Sequence, residues 1–129
     1  MAHPNEDLVR EGFAAFGRGD MDALPKYWTD DIRFHVPGRH PAAGDYQGIE
    51  QALQFHARMA ELSRGTVSTE VNDVLANDER VVVLLTARGE RAVKQMNVSN
   101  VTVYNFRDGK LAEVVSHSAD QYAVDEFYS

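Results

Sequence analysis

Apolar positions recur with a helical period in the first half of the chain and with a period of two in the second. Val9, Phe13 and Phe16 stand at i, i+4, i+7, with the strong helix formers Ala14 and Ala15 between them. Gly17 and Gly19 end that pattern, since glycine accepts the left-handed backbone that closes many helices. Asp20 is placed to cap a second, short helix through Leu24 and Trp28, and Pro25 beyond its first turn predicts an irregular or kinked segment. Ile32, Phe34 and Val36 then alternate with Arg33 and His35, which marks a strand that Pro37-Gly38 stops. A loop is expected from Arg39 to Gly48. Ile49, Ala52, Leu53, His56, Met59 and Ala60 form one face of a third helix, closed by Gly65.

Strands dominate thereafter. Thr66 to Ala76 is the first, with Asn77-Asp78-Glu79-Arg80 as its turn. Val81 to Arg88 is apolar on both faces, as in a strand covered on both sides. Gly89-Glu90 is expected to turn the chain into a long strand from Ala92 to Phe106. Asp108-Gly109 is a hairpin signal leading into a last strand, Leu111 to His117. The tail from Asp120 to Ser129 reads as a helical turn or an ordered extension. Helices followed by hairpin-linked strands predict an α+β domain with helices on one face of an antiparallel sheet.

Composition narrows the function classes. At 129 residues the chain fits one domain, and Leu, Ile, Val and Phe supply about a quarter of it, enough for a core. The net charge of −7 disfavours nucleic acid and anionic lipid as partners. There is no cysteine, which excludes disulfides, thiol catalysis and cysteine metal sites. The longest purely apolar run is Val81 to Leu85, and the start of the chain is acidic, so the expectation is a cytoplasmic protein without a membrane span.

Several segments together resemble the nuclear-transport-factor-2-like (NTF2-like) superfamily. Phe13 to Leu24 is similar to its A-F-x-x-G-D-x-D-A-L opening, and Trp28 to Gly38 to its first strand. Gly44-Asp45-Tyr46-Gln47-Gly48 resembles the G-x-Y-x-G approach to its third helix, and Phe106 to Glu113 its last hairpin. Asp120 to Phe127 resembles the ending of the SnoaL-like branch, which includes polyketide cyclases. The resemblance implies a cone-shaped, curved antiparallel sheet wrapped by three N-terminal helices around an apolar pocket. It also implies a homodimer joined through the outer sheet face. Ketosteroid isomerases share the fold, but the positions of their aspartate base, oxyanion tyrosine and protonated aspartate fall here on Val36, near Gly12, and on Val101 or Thr102. That triad is not retained.

Histidines are the most informative polar groups, because they titrate near neutral pH. His3 is terminal and expected to be disordered. His56 lies on the apolar stripe of the third helix, as a core histidine or a pocket base. His117 ends the last strand three residues before Asp120, whose carboxylate is positioned to orient it as a general base. His35 alternates out of step with the apolar positions of its strand, and strand twist is the route by which it would reach the pocket. His40, in the glycine-rich loop, reads as exposed or part of the pocket rim. No two histidines have helical i, i+4 spacing and no zinc-protease motif is present, so no metal is expected. Nor does any phosphate or dinucleotide motif suggest a cofactor.

On the long strand, Asn100 and Tyr104 share a face with Val98, Thr102 and Phe106, and they are candidate donors to a substrate carbonyl or enolate. Phe16, Tyr27, Trp28, Phe55 and Met59 supply an apolar wall. Two functions stay open. One is a cofactor-independent acid/base enzyme on a small apolar carbonyl compound of polyketide or terpenoid type, performing cyclisation, isomerisation or dehydration. The other is a non-catalytic small-molecule binding protein of the same fold. A structural dimer with a filled pocket is a third reading.

Overall fold

The computed structural model describes residues 2–129. Helix α1 (Pro4–Gly17) is followed by a 3-10 helix (Met21–Tyr27) that accommodates Pro25. Strand β1 (Trp28–Val36) and the short β2 (Gly44–Gln47) precede α2 (Ile49–Ser63). Four strands follow: β3 (Ser68–Ala76), β4 (Arg80–Arg91), β5 (Lys94–Arg107) and β6 (Lys110–Ser118). Helix α3 (Gln121–Tyr128) ends the chain.

The six strands form one curved, unclosed sheet in the order β2-β1-β6-β5-β4-β3, with the helices against it. Neighbours are antiparallel except β1 and β6, which run parallel. Register shifts interrupt the ladders between Trp28 and Arg33, between Val71 and Asp73, and between Asn105 and Phe106. Such irregularities bend and twist a sheet locally, and these give the cone its curvature.

The inner face holds two buried clusters. Val9, Val81, Val83, Leu85, Met96, Val98 and Phe127 form one, under α1 and α3. Ala15, Leu24, Trp28, Ile32, Phe34, Ala52 and Val114 form the other, under α2 and the 3-10 helix. Partly buried Tyr104 and Phe106 touch both.

Four local expectations are corrected. The second helix stops at Tyr27, and Trp28 already belongs to β1, where its indole is buried. The Arg39–Gly48 segment contains β2, which pairs Tyr46 with Phe34 at the sheet edge. Gly89-Glu90 continues β4 rather than turning it. The reversal comes at Ala92-Val93, with Ala92 at φ 49°. Gly89 is required by packing instead: a Cβ there would lie 2.7 Å from Phe127 Cζ and 2.9 Å from Val67 Cγ2. His3 is ordered. Its Nδ1 accepts from the Asn5 N–H to cap α1, and its Nε2 meets Asp78 at 2.9 Å. The Asp108-Gly109 hairpin has positive φ at both residues (53° and 78°), as a type I′ turn demands.

Candidate functional site

A cavity of about 120 Å³ opens between the end of β1, the loop after it, α2, α3 and the inner faces of β4 to β6. Its walls are mainly apolar: Val36, Phe55, Met59, Ala87, Met96 and Val124. His40, Asn100, Ser116, His117, Ser118, Gln121 and Tyr128 supply its polar groups.

His40 reaches the cavity because its loop folds inward. Tyr46 donates its hydroxyl to the Ala42 carbonyl at 2.7 Å, and Ala42 is fully buried. Helix α3 holds the loop from the other side: Gln121 Nε2 donates to Pro37 O, and Asp125 accepts from the Arg39 N–H. Gly38 (φ +104°) permits this, since a Cβ there would overlap Asp125 and Gln121. The His40 ring is 6% exposed and packs on Tyr128 with ring centres 5.2 Å apart. Its Nδ1 accepts from the Ala42 N–H at 3.1 Å. That bond commits Nδ1 as an acceptor, so the neutral ring carries its proton on Nε2. Burial lowers the His40 pKa, which nearby Asp125 only partly offsets, and favours that neutral form. Burial likewise pushes the Tyr128 hydroxyl up to about 12, so it stays a donor at neutral pH.

Asn100 borders the cavity from β5, in register with Leu85 and Ser118. Its Oδ1 is buried and has no hydrogen-bond partner. A buried amide oxygen left unpaired costs about 1–3 kcal/mol. The χ2 torsion of Asn is broad, so the amide can turn that oxygen to a donor arriving in the cavity.

The sequence-predicted base is not formed. His117 is exposed; it pairs in register with Val101, whose neighbours on that face point outward, and only borders the cavity rim. Asp120 does not orient it, because its carboxylate accepts from the Ala123 N–H and caps α3. His56 is half-buried among aromatic rings and hydrogen-bonded through Nδ1. Its Nδ1 donates to the Ala52 carbonyl at 2.8 Å, and the rings of Phe16, Trp28, Phe34 and Phe55 lie 5.1–5.5 Å from it. Burial lowers its pKa. His35 faces the outer side of the sheet, where both ring nitrogens are engaged, Nδ1 with Asp45 at 2.8 Å and Nε2 with Glu113 at 2.9 Å. These two carboxylates raise its pKa. Strand alternation, not twist, decides its side.

Of the predicted wall, Phe55 and Met59 line the cavity. Trp28 is buried in the second cluster, and Tyr27 packs against that cluster. Phe16, 36% exposed, meets the His56 ring at the surface end of α1. Tyr104 is on the inner face as Asn100 is, deeper in the cone beside Phe13, and burial raises its pKa strongly. His40 borders the pocket, one of its two expected placements, but it is buried rather than exposed. Its neighbours in sequence are glycine, proline and alanine, and nothing local reports the Tyr46 and α3 contacts that bury it.

The family model of the SnoaL-like domain matches residues 9–114. The chain belongs to the SnoaL-like domain family. An uncharacterized Mycobacterium tuberculosis protein is 31% identical over 124 residues, 95% of each chain. The structure of Bal32a, from a soil-derived mobile gene cassette, superposes with a TM-score of 0.92 at 33% identity, covering 98% of this chain and 97% of that one. An NTF2-like protein from Burkholderia xenovorans LB400 superposes with a TM-score of 0.82 at 24% identity, covering 100% and 98% of the two chains. This SnoaL-like chain therefore has the NTF2-like cone fold. Among its described residues, no helix is long and apolar enough to cross a membrane.

Proposed function

We propose that the protein binds a small, mostly apolar carbonyl compound in the cavity between α2, α3 and the sheet. The carrying observation is His40, buried and locked with its proton on Nε2 by the Ala42 N–H. A neutral imidazole held this way is a preorganised donor for a carbonyl oxygen. The apolar walls fit the remainder of such a ligand. Replacing His40 by Phe, which keeps the ring against Tyr128, tests this. Affinity for acetophenone, followed by ligand-observed NMR, is expected to fall about tenfold for the loss of one buried hydrogen bond. Unchanged affinity would remove His40 from the site.

A catalytic version of the same site has one supporting observation. A neutral histidine donor that polarises a carbonyl also stabilises the enolate formed when a proton leaves the adjacent carbon. No Asp, Glu, Lys or Arg lines the cavity among the described residues, and His117 is exposed at its rim with the Asp120 carboxylate engaged elsewhere, so binding without turnover is favoured over cyclisation, isomerisation or dehydration. Deuterium uptake from solvent into the methyl group of acetophenone, above the uncatalysed rate, would reverse that preference.

The outer sheet face supports a homodimer. Leu75, Val82, Val103 and Val115 stand in register across four strands, and Leu84 and Val101 pair beside them. Leu75, Leu84 and Val101 are 55%, 38% and 36% exposed. A second copy of this chain would cover this apolar row. Sedimentation is expected to show a dimer that Val101→Lys dissociates; a wild-type monomer at 100 μM (a concentration on the order of a weak dimer's Kd) would contradict it.

A further inference from the structure

The cavity reads its ligand through two opposite hydrogen-bonding demands. His40 Nε2–H has a proton to give, since its Nδ1 is already occupied by the Ala42 N–H. Asn100 Oδ1 is buried with no donor to receive from. The first asks for an acceptor and the second for a donor, and both residues border the same space. A carbonyl alone answers only the first.

Size and charge restrict the ligand further. At about 120 Å³ the cavity is slightly smaller than an engineered apolar cavity of about 150 Å³ that holds one benzene ring. One ring fits, its substituents reaching the polar residues or the rim at His117; a fused four-ring skeleton does not. No Asp, Glu, Lys or Arg lines the space among the described residues. A carboxylate would lose its hydration without gaining a cation there.

Resting on the carbonyl-binding function proposed above, we propose that the ligand is a neutral, single-ring hydroxy-carbonyl compound. Its carbonyl oxygen accepts from His40 Nε2–H, and its hydroxyl donates to Asn100 Oδ1. Asn100 is thus the residue that distinguishes a hydroxylated ketone from the bare one. In its absence the site still takes the ketone.

Titration calorimetry on the full chain at pH 7.5 tests this with five probes: acetophenone, 3-hydroxyacetophenone, 4-hydroxyacetophenone, 4-hydroxybenzoate and progesterone. The meta and para isomers are chosen because neither can close an internal hydrogen bond. One hydroxyacetophenone is expected to bind about tenfold or more tightly than acetophenone, the gain for pairing a buried orphan group. In Asn100→Leu that ratio is expected to fall to about one. 4-Hydroxybenzoate and progesterone are expected to bind at least tenfold more weakly than the better hydroxyacetophenone. Equal binding of acetophenone and both hydroxyacetophenones, or a ratio that survives Asn100→Leu, overturns the inference while leaving carbonyl binding standing. Preference for the carboxylate or the steroid overturns it as well. Absence of binding by all five probes overturns the proposed function and this inference together.

Discussion

Replacing Asn100 by Leu is expected to stabilise the unliganded protein, although the residue lies in the proposed binding site. In the wild type a buried carbonyl oxygen has no partner, at a cost of about 1–3 kcal/mol. Leucine shares asparagine's γ-branched shape, is larger, and removes the polar group. Its methyl groups would lie in a cavity walled by Phe55, Met59 and Met96, adding contact where there is now empty space. Leucine has a lower strand propensity than the β-branched residues, but that effect is within about 1 kcal/mol across the whole scale. The balance is a gain of about 1–2 kcal/mol. For a chain of this length that raises Tm by roughly 3–8 °C. Urea unfolding at pH 7.5, at one fixed protein concentration so that self-association does not bias the comparison, gives the difference directly. An unchanged urea m-value with a higher midpoint is the expected signature. If Asn100→Leu is less stable than wild type by about 1 kcal/mol or more, the amide is well satisfied and the oxygen is no orphan.

Other consequences follow from charge and packing. His40 and His56 have lowered pKa values through burial, so the unfolded chain binds protons that the native state resists. Their contribution to stability is present above about pH 6.5 and is lost as pH falls through the lowered native values. His56→Leu should therefore flatten the decline in stability between pH 7 and pH 5; an unaltered slope would show that this histidine does not set it. His35 works in the opposite sense. Its native pKa is raised by Asp45 and Glu113, so its contribution is full below the unfolded value and fades as pH rises through the native one. His35→Gln should cost about 0.5–1 kcal/mol at pH 5.5 and less at pH 9, and an equal cost at both would dismiss the ion pairs as the cause. Gly89→Ala should destabilise by about 1–3 kcal/mol through overpacking, since Phe127 is 1% exposed and its ring has nowhere to move; a neutral result in urea unfolding would show that α3 docks loosely.

The fold was legible because its signals are local. Val9, Phe13 and Phe16 announce α1, Pro25 the irregular 3-10 turn, and Asp108-Gly109 the last hairpin. Alternation showed which residues of β5 share a face but not which face is inward; the structure buries Met96, Val98 and Thr102 and leaves Asn97, Ser99 and Val101 unburied. The site was less legible because its geometry is set by partners far away in sequence. His117 and Asp120 are near neighbours in the chain, yet one faces outward from β6 and the other is consumed in capping α3. Conversely, His40 lies in a loop with no periodicity. It is buried only because Tyr46 and residues 121–128 fold over it. Gly89 illustrates the same limit. A glycine beside a glutamate in a strand pattern reads as a turn, whereas its reason here is the Phe127 ring 38 positions later. Periodicity reports which face a residue occupies, and it is silent on what crosses that face.

The binding proposed for the cavity requires His40 and Asn100 to hold the ligand jointly. The most direct test is two-dimensional ¹H–¹⁵N NMR of the imidazole and side-chain amide resonances during titration with 3- and 4-hydroxyacetophenone. His40 is expected to begin neutral with its proton on Nε2, and the His40 Nε2 and Asn100 side-chain signals are expected to move together along one binding curve. The resonances of His35 and His56 should stay in place. Movement confined to the outer-face His35, or saturation with both cavity signals unmoved, would contradict it.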